Sequence, residues 1–130
     1  MRCTPERAGL DALSCASSSP ERVLNTVRTS WSSTKTLKDK LQQGQANKLS
    51  EKWVSGVRLG FGWAGSATEL SSHPAGLVLV DERDRMTDDT GSEGDPVSLA
   101  EARCATYPDG KVIVCSTPTL EGGSAIWKLF

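Results

Sequence analysis

The sequence predicts an α/β fold, a parallel sheet flanked by helices, and three observations predict it. Gly76-Leu77-Val78-Leu79-Val80 is a continuous apolar run that stops abruptly at Asp81-Glu82, and Val112-Ile113-Val114-Cys115 is a second run ending in Ser116-Thr117-Pro118. Continuous runs of this kind are the habit of strands buried on both faces, as in parallel sheets. Between them lies a helical stretch opened by Asp95-Pro96, so the order is strand, crossover helix, strand. With 130 residues, 37% hydrophobic and 24% charged, the chain has material for one core and not for two.

Taken in order, residues 1–19 sustain neither a helical nor a strand period. Ser14, Ser17, Ser18 and Ser19 crowd around Cys15, and an unstructured or non-native leader outside the fold is expected there. The domain proper is expected over residues 20–130. Ser19 is placed to cap a helix, Pro20 suits its first position, and Val23, Leu24, Val27 and Trp31 share one face. A second short helix is expected from about Thr34, burying Leu37 and Leu41 and stopping at Gly44. Val57, Leu59, Phe61 and Trp63 alternate with Arg58, Gly60 and Gly62, the period of a strand with one covered face. Ala64-Gly65-Ser66-Ala67-Thr68 reads as a loop. The crossover helix is expected from Pro96 to about Thr106, capped by Asp95, with Tyr107-Pro108-Asp109-Gly110 as the turn out of it.

The net charge of −1 conceals an asymmetry. Residues 1–50 hold eight Lys or Arg against four acidic residues, whereas residues 51–130 hold seven against twelve, and seven of those carboxylates lie between Asp81 and Asp95. That stretch cannot neutralise phosphates as a nucleic-acid footprint does, but it suits a divalent cation. No apolar run approaches the roughly 18 residues needed to span a bilayer. Arg2, Glu6, Arg7 and Asp11 break up any signal-peptide core, so a cytoplasmic protein is expected. Cys3, Cys15, Cys104 and Cys115 form no Cys-x-x-Cys pair and read as isolated reduced thiols rather than zinc ligands. His73 is the only histidine, which excludes histidine triads and multi-histidine metal sites and leaves it as a loop residue.

In open parallel sheets, functional residues lie beyond the carboxyl ends of the strands. Asp81-Glu82 and Ser116-Thr117 occupy two such ends. An apolar strand closed by Asp-Glu is the pattern of a Walker B strand: the first carboxylate can hold Mg²⁺ or its water shell, and the second can orient and deprotonate a water. It is equally the ordinary acidic end of a buried strand, and Ser116-Thr117 equally an ordinary polar turn closed by Pro118. A parallel neighbour would set the Ser116 and Thr117 hydroxyls beside the carboxylates, where they could sense a γ-phosphate or hold the water. Arg83 and Arg85 are expected to pair with Asp84, Asp88 or Asp89 on a solvated loop.

Four blocks in this order and spacing carry a resemblance. They are Gly62-Trp63-Ala64-Gly65-Ser66-Ala67-Thr68-Glu69-Leu70-Ser71-Ser72, Val80-Asp81-Glu82-Arg83-Asp84-Arg85, Glu93-Gly94-Asp95-Pro96-Val97-Ser98-Leu99-Ala100-Glu101-Ala102-Arg103 and Ser116-Thr117-Pro118-Thr119. Over about residues 20–130 the chain resembles the ATPase domain of the GpA-type phage terminase large subunit. The resemblance implies a partial P-loop-NTPase-like sheet of the ASCE type, and a motor that hydrolyses ATP with Mg²⁺ to drive double-stranded DNA into a preformed capsid. It implies Asp81 as the Mg²⁺-associated carboxylate, Glu82 as the catalytic base, and Ser116 and Thr117 as the motif that couples nucleotide state to movement. The partners implied for the whole family are DNA, a terminase small subunit and the capsid portal, in an oligomeric motor in the bacterial cytoplasm, with a separate endonuclease domain.

Two departures stand beside the matches. The 130 residues contain no Gly-x-x-x-x-Gly-Lys-Ser/Thr phosphate loop, and Arg83 stands where the family usually has an apolar residue. The strand feeding the phosphate loop would lie beside the coupling-motif strand, so residues 112–114 are expected at an open apolar edge. The chain alone is accordingly expected to fold poorly and to hydrolyse little ATP. Two other readings remain: an inactive prophage remnant, and an ATPase fragment of helicase type, since Asp81-Glu82-Arg83-Asp84 is also an Asp-Glu-x-Asp motif.

Overall fold

Four parallel strands and one antiparallel strand make a single sheet in this computed structural model, which describes residues 12–16, 21–41, 50–90 and 93–129. In chain order the elements are β1 (Ala12–Ala16), α1 (Glu21–Ser33), α2 (Lys35–Lys38), β2 (Glu51–Val54), β3 (Val57–Trp63), α3 (Ala67–Ser71), β4 (Leu77–Asp81), α4 (Pro96–Ala102) and β5 (Lys111–Val114). Across the sheet the strands run β2-β3-β1-β4-β5, with only β2 antiparallel to its neighbour. The predicted β4-α4-β5 unit is present, and β5 lies at the sheet edge with Ile113 half exposed.

One expectation about the front of the chain fails. Ala12–Ala16 is not an unstructured leader; it is the central strand, pairing in parallel with β3 on one side and β4 on the other. Its sequence, Ala-Leu-Ser-Cys-Ala, carries almost no strand propensity. Two partner strands supply the hydrogen bonds that the side chains do not advertise. The proposed cap Ser19-Pro20 and the stop at Gly44 lie outside the described residues. Val27 and Trp31 of α1 are half-buried, as their shared face predicts. Leu37 and Leu41 are half-buried rather than buried, and Leu41 forms an isolated bridge to Val54.

β2 and β3 form a hairpin whose two-residue turn, Ser55-Gly56, has positive φ at both positions (51° and 83°). That is the backbone of a type I′ turn, whose twist matches that of the flanking strands. On β3 the covered face is not the apolar one alone. Arg58, Gly60 and Gly62, on the same face as Val78 and Val80, are buried as well as Phe61 on the other face, while Trp63 at the strand's end is 45% exposed. Arg58 meets Glu51 of the hairpin at 3.4 Å.

The main core cluster lies on the Val78/Val80 side of the sheet. Val78 and Val80 of β4 are fully buried with Leu70 of α3, Ala100 and Val97 of α4, and Ala64, Ala75, Met86 and Cys104. Leu79, on the opposite face of β4, is 39% exposed. The expectation of burial on both faces therefore fails: α3 and α4 pack on each other and on the Val78/Val80 side. α4 starts as predicted, with the Asp95 carboxylate accepting from the Ser98 amide at 2.8 Å and Pro96 at its first turn. It ends at Ala102, earlier than expected, and Cys104–Thr106 continues as a 3₁₀ turn. Pro108 forces Tyr107 into extended backbone (φ −108°, ψ 122°), so the last turn tightens instead of propagating.

Candidate functional site

Parallel pairing brings three strand ends to one level: Ala16 of β1 stands opposite both Trp63 of β3 and Asp81 of β4. β5 continues the row, because the Cys115 amide, just past its last residue, donates to the Val80 carbonyl at 2.9 Å. Asp81, Glu82, Cys115 and Ser116 thus meet at the carboxyl edge, where the sequence places the candidate residues.

Asp81 is the last residue of β4, and its carboxylate is exposed. Among the described residues the Cys115 thiol reaches it, at 3.4 Å from Oδ1, and also lies 3.3 Å from the Val80 carbonyl. Burial, the hydrogen bond to Asp81 and its charge push the Cys115 thiol up, against a smaller opposing pull from the Glu82 amide. The thiol is therefore a neutral neighbour of the carboxylate at physiological pH. Next along the chain, Glu82 adopts the left-handed conformation (φ 57°, ψ 46°). A non-glycine residue there is strained by roughly 1–3 kcal/mol, and such strain clusters at functional sites.

The turn behind Glu82 is bolted down at several points. Arg83–Arg85 forms a 3₁₀ turn, with the Arg85 amide donating to the Glu82 carbonyl at 2.9 Å. The Arg83 amide donates to the Cys115 carbonyl at 3.3 Å, and the Asp84 amide to the Ser116 hydroxyl at 2.9 Å. Arg83 does not stay on a solvated loop. Its guanidinium binds the Asp95 carboxylate at 2.8 Å and approaches Asp88 at 3.6 Å, so a single acid, Asp95, both caps α4 and holds the Glu82 turn. Asp88 is the one partner among those expected that Arg83 meets.

Ser116 and Thr117 separate in role. Ser116 sits beside the turn that follows Glu82, with its oxygen accepting from the Asp84 amide, whereas Thr117 is exposed. Sequence reasoning missed two neighbours, Cys115 and Asp84. Asp84 Oδ2 accepts from the Thr119 amide (3.0 Å) and hydroxyl (3.1 Å), and Oδ1 accepts from the Ile126 amide (2.8 Å). Burial pushes this carboxyl up, but those donors and the Ser124 hydroxyl outweigh it and bring it down to about 2. The stabilisation is complete above the ordinary carboxylate range near 4 and is lost as pH falls through about 2. Following the Ile126 amide resonance through an acid titration should show that loss, and Asp84→Asn should remove it.

At the far side of the row, Trp63 folds over the backbone of Gly65, where a Cβ would lie 2.6 Å from the indole. Its amide donates to Glu69 Oε2 at 2.9 Å, and Ser66 caps α3. Only a glycine admits the ring at that distance.

The family model for the phage terminase large subunit gpA, ATPase domain, matches residues 10–130. The chain belongs to that family. The match begins at residue 10, ahead of the expected residue 20, and so takes in the central strand β1. A search of curated proteins finds no match. Among solved structures, the terminase domain is similar to the large terminase of bacteriophage HK97, with a TM-score of 0.67, 18% identity, and coverage of 87% of this chain and 23% of that one. It is also similar to the large terminase of the thermophilic bacteriophage D6E, with a TM-score of 0.52, 15% identity, and coverage of 86% and 27%. At those identities the likeness is one of fold, a mixed helix and strand architecture built on a largely parallel sheet. The chain spans about a quarter of the length of each. No helix among the described residues of this terminase domain is long and apolar enough to cross a membrane.

Proposed function

We propose that the chain supplies the metal-and-base side of an ATP-hydrolysing site in a DNA-packaging motor. The observation that carries the reading is the juxtaposition of Asp81 and Glu82 at the tip of β4 with Cys115 and Ser116 at the tip of its parallel neighbour β5. Asp81 offers a hard, exposed carboxylate at the strand tip, which fits Mg²⁺. That ion characteristically takes one or two carboxylates plus substrate phosphates and water and needs no larger protein cage. When bound, Mg²⁺ supplies charge neutralisation for the phosphates.

The remaining roles belong to this chain's own groups. Glu82, held out from the strand by its left-handed backbone, orients the attacking water and accepts its proton. Ser116 fixes the turn that carries Glu82, and Thr117, exposed beside it, is the residue of the pair free to meet nucleotide or a moving segment. The phosphate cradle is not among these 130 residues, which contain no Gly-x-x-x-x-Gly-Lys-Ser/Thr loop. It comes from another segment of the motor, beside the open edge of β5. In the assembled motor, hydrolysis drives double-stranded DNA into the capsid, with the small subunit and the portal as partners. The acidic stretch from Asp81 to Asp95 takes no part in DNA contact.

Equilibrium binding of a fluorescent ATP analogue to a terminase large subunit that carries this domain tests the reading. Binding is expected to require Mg²⁺ and to weaken in Asp81→Asn. Binding that is indifferent to both EDTA and Asp81→Asn would overturn it.

A further inference from the structure

Asp84 lies two residues beyond Glu82, and its carboxylate is surrounded by donors belonging to one distant segment. Both oxygens are used: Oδ2 takes the amide and hydroxyl of Thr119, and Oδ1 takes the amide of Ile126, 42 residues away. The Ser124 hydroxyl adds a fourth donor, and its oxygen in turn accepts from the Trp127 amide at 3.2 Å. A carboxylate accepts on both oxygens and donates nothing, so it satisfies this set. An asparagine would accept on one side only and would turn an NH₂ toward donors on the other.

The segment so held has little regular structure of its own. Between β5 and the 3₁₀ turn Trp127–Leu129 it contains turns closed by Gly123 and Ser124 amides on the Leu120 carbonyl. Ser124 and Ile126 are nevertheless buried (1% and 7% exposed), while Leu120, Trp127 and Leu129 stand out at 72%, 59% and 65%. An irregular segment with buried anchors needs external hydrogen bonds to hold its backbone, and Asp84 provides them at two amides.

We infer that Asp84 is a positioning residue that fastens residues 119–126 to the turn carrying Glu82, so that the turn and the apolar end of the chain shift as one piece. The Asp84 amide on Ser116 completes the connection, linking the coupling-motif strand, the Glu82 turn and the 119–126 segment through one residue. The positioning of Glu82 rests on the ATP-site reading; the fastening itself does not.

Amide exchange and ¹H–¹⁵N spectra of the full chain separate the two. Without nucleotide, the Thr119 and Ile126 amides are expected to exchange about 10- to 100-fold faster in Asp84→Asn, as expected when a hydrogen bond to a charged group is lost. The Val78 and Val80 amides should keep their protection, and Glu82→Gln should leave Thr119 and Ile126 unchanged. Retained protection in Asp84→Asn overturns the inference, as does equal loss throughout the sheet. Should Asp84→Asn fail to fold, Ser124→Ala replaces it. Faster Ile126 exchange with a shifted Trp127 amide supports the fastening, and no change contradicts it. In a terminase large subunit that carries this domain, with Mg²⁺ and ATPγS, resonances of both 81–85 and 119–127 should move in the wild type and only the first set in Asp84→Asn. Movement of both sets in the variant contradicts the inference. If ATPγS perturbs no resonance of either protein, the ATP-site reading fails while the exchange result decides the fastening.

Discussion

Glu82→Gln, introduced into a terminase large subunit that carries this domain, is expected to lower ATP turnover by about 10²–10⁴-fold, the usual worth of a positioned general base. ATP affinity should change little, because the amide keeps the size and the hydrogen-bonding reach of the acid but cannot take a proton. The position itself supports so large an effect. Glu82 sits in a strained left-handed backbone at the end of β4, and a strained residue persists only where its surroundings over-determine it. Here those surroundings are explicit: Cys115 and Ser116 hold the amides of the next two residues, and Arg83 is tied to Asp95. Steady-state hydrolysis across a range of ATP concentrations checks it, with kcat falling and KM nearly constant.

Leu70→Ala should have the largest effect on stability, a loss of about 2–5 kcal/mol. Leu70 is fully buried on α3 and shares its cluster with Val78, Val80 and Ala100. Small domains have roughly 5–15 kcal/mol in total, so the variant should unfold at much lower urea concentration. Leu120→Ala is the control: at 72% exposure it should stay within about 0.5 kcal/mol of wild type. Since Leu70 lies behind Val78 and Val80, its loss also loosens the seat of the strand that ends in Asp81.

Which parts of the molecule were legible follows from where their signals reside. β3, β4, β5 and the start of α4 announce themselves through apolar runs and the Asp95-Pro96 pair, all local features. β1 does not, because a central strand of small residues owes its state to the two strands it joins. β2 has one local sign in the sequence, Ser55-Gly56, a turn dipeptide between Trp53-Val54 and Val57. α3 likewise has a serine followed three residues later by glutamate, the spacing of a capping box, although Glu69 binds the Trp63 amide instead of closing the box. The exposure of Leu79 was beyond sequence, since it depends on which side of the sheet the helices pack.

The candidate site divides in the same way. The meeting of Asp81, Glu82 and Ser116 follows from two strand ends in a parallel pair, and parallel pairing was legible. The direction of the Ser116 oxygen, toward a backbone amide, was not. Nor was the role of Asp84, whose donors lie 35 to 42 residues farther on in a stretch without regular structure. The sequence shows such an aspartate only as one more charge in an acidic run.

The most direct measurement is electron paramagnetic resonance of Mn²⁺ titrated with ATP into a terminase large subunit that carries this domain, comparing wild type with Asp81→Asn. One ATP-dependent Mn²⁺ site is expected in the wild type, weakened by at least about tenfold when its carboxylate is neutralised. Equal Mn²⁺ binding by both proteins would contradict the assignment of a metal–nucleotide site to the end of β4.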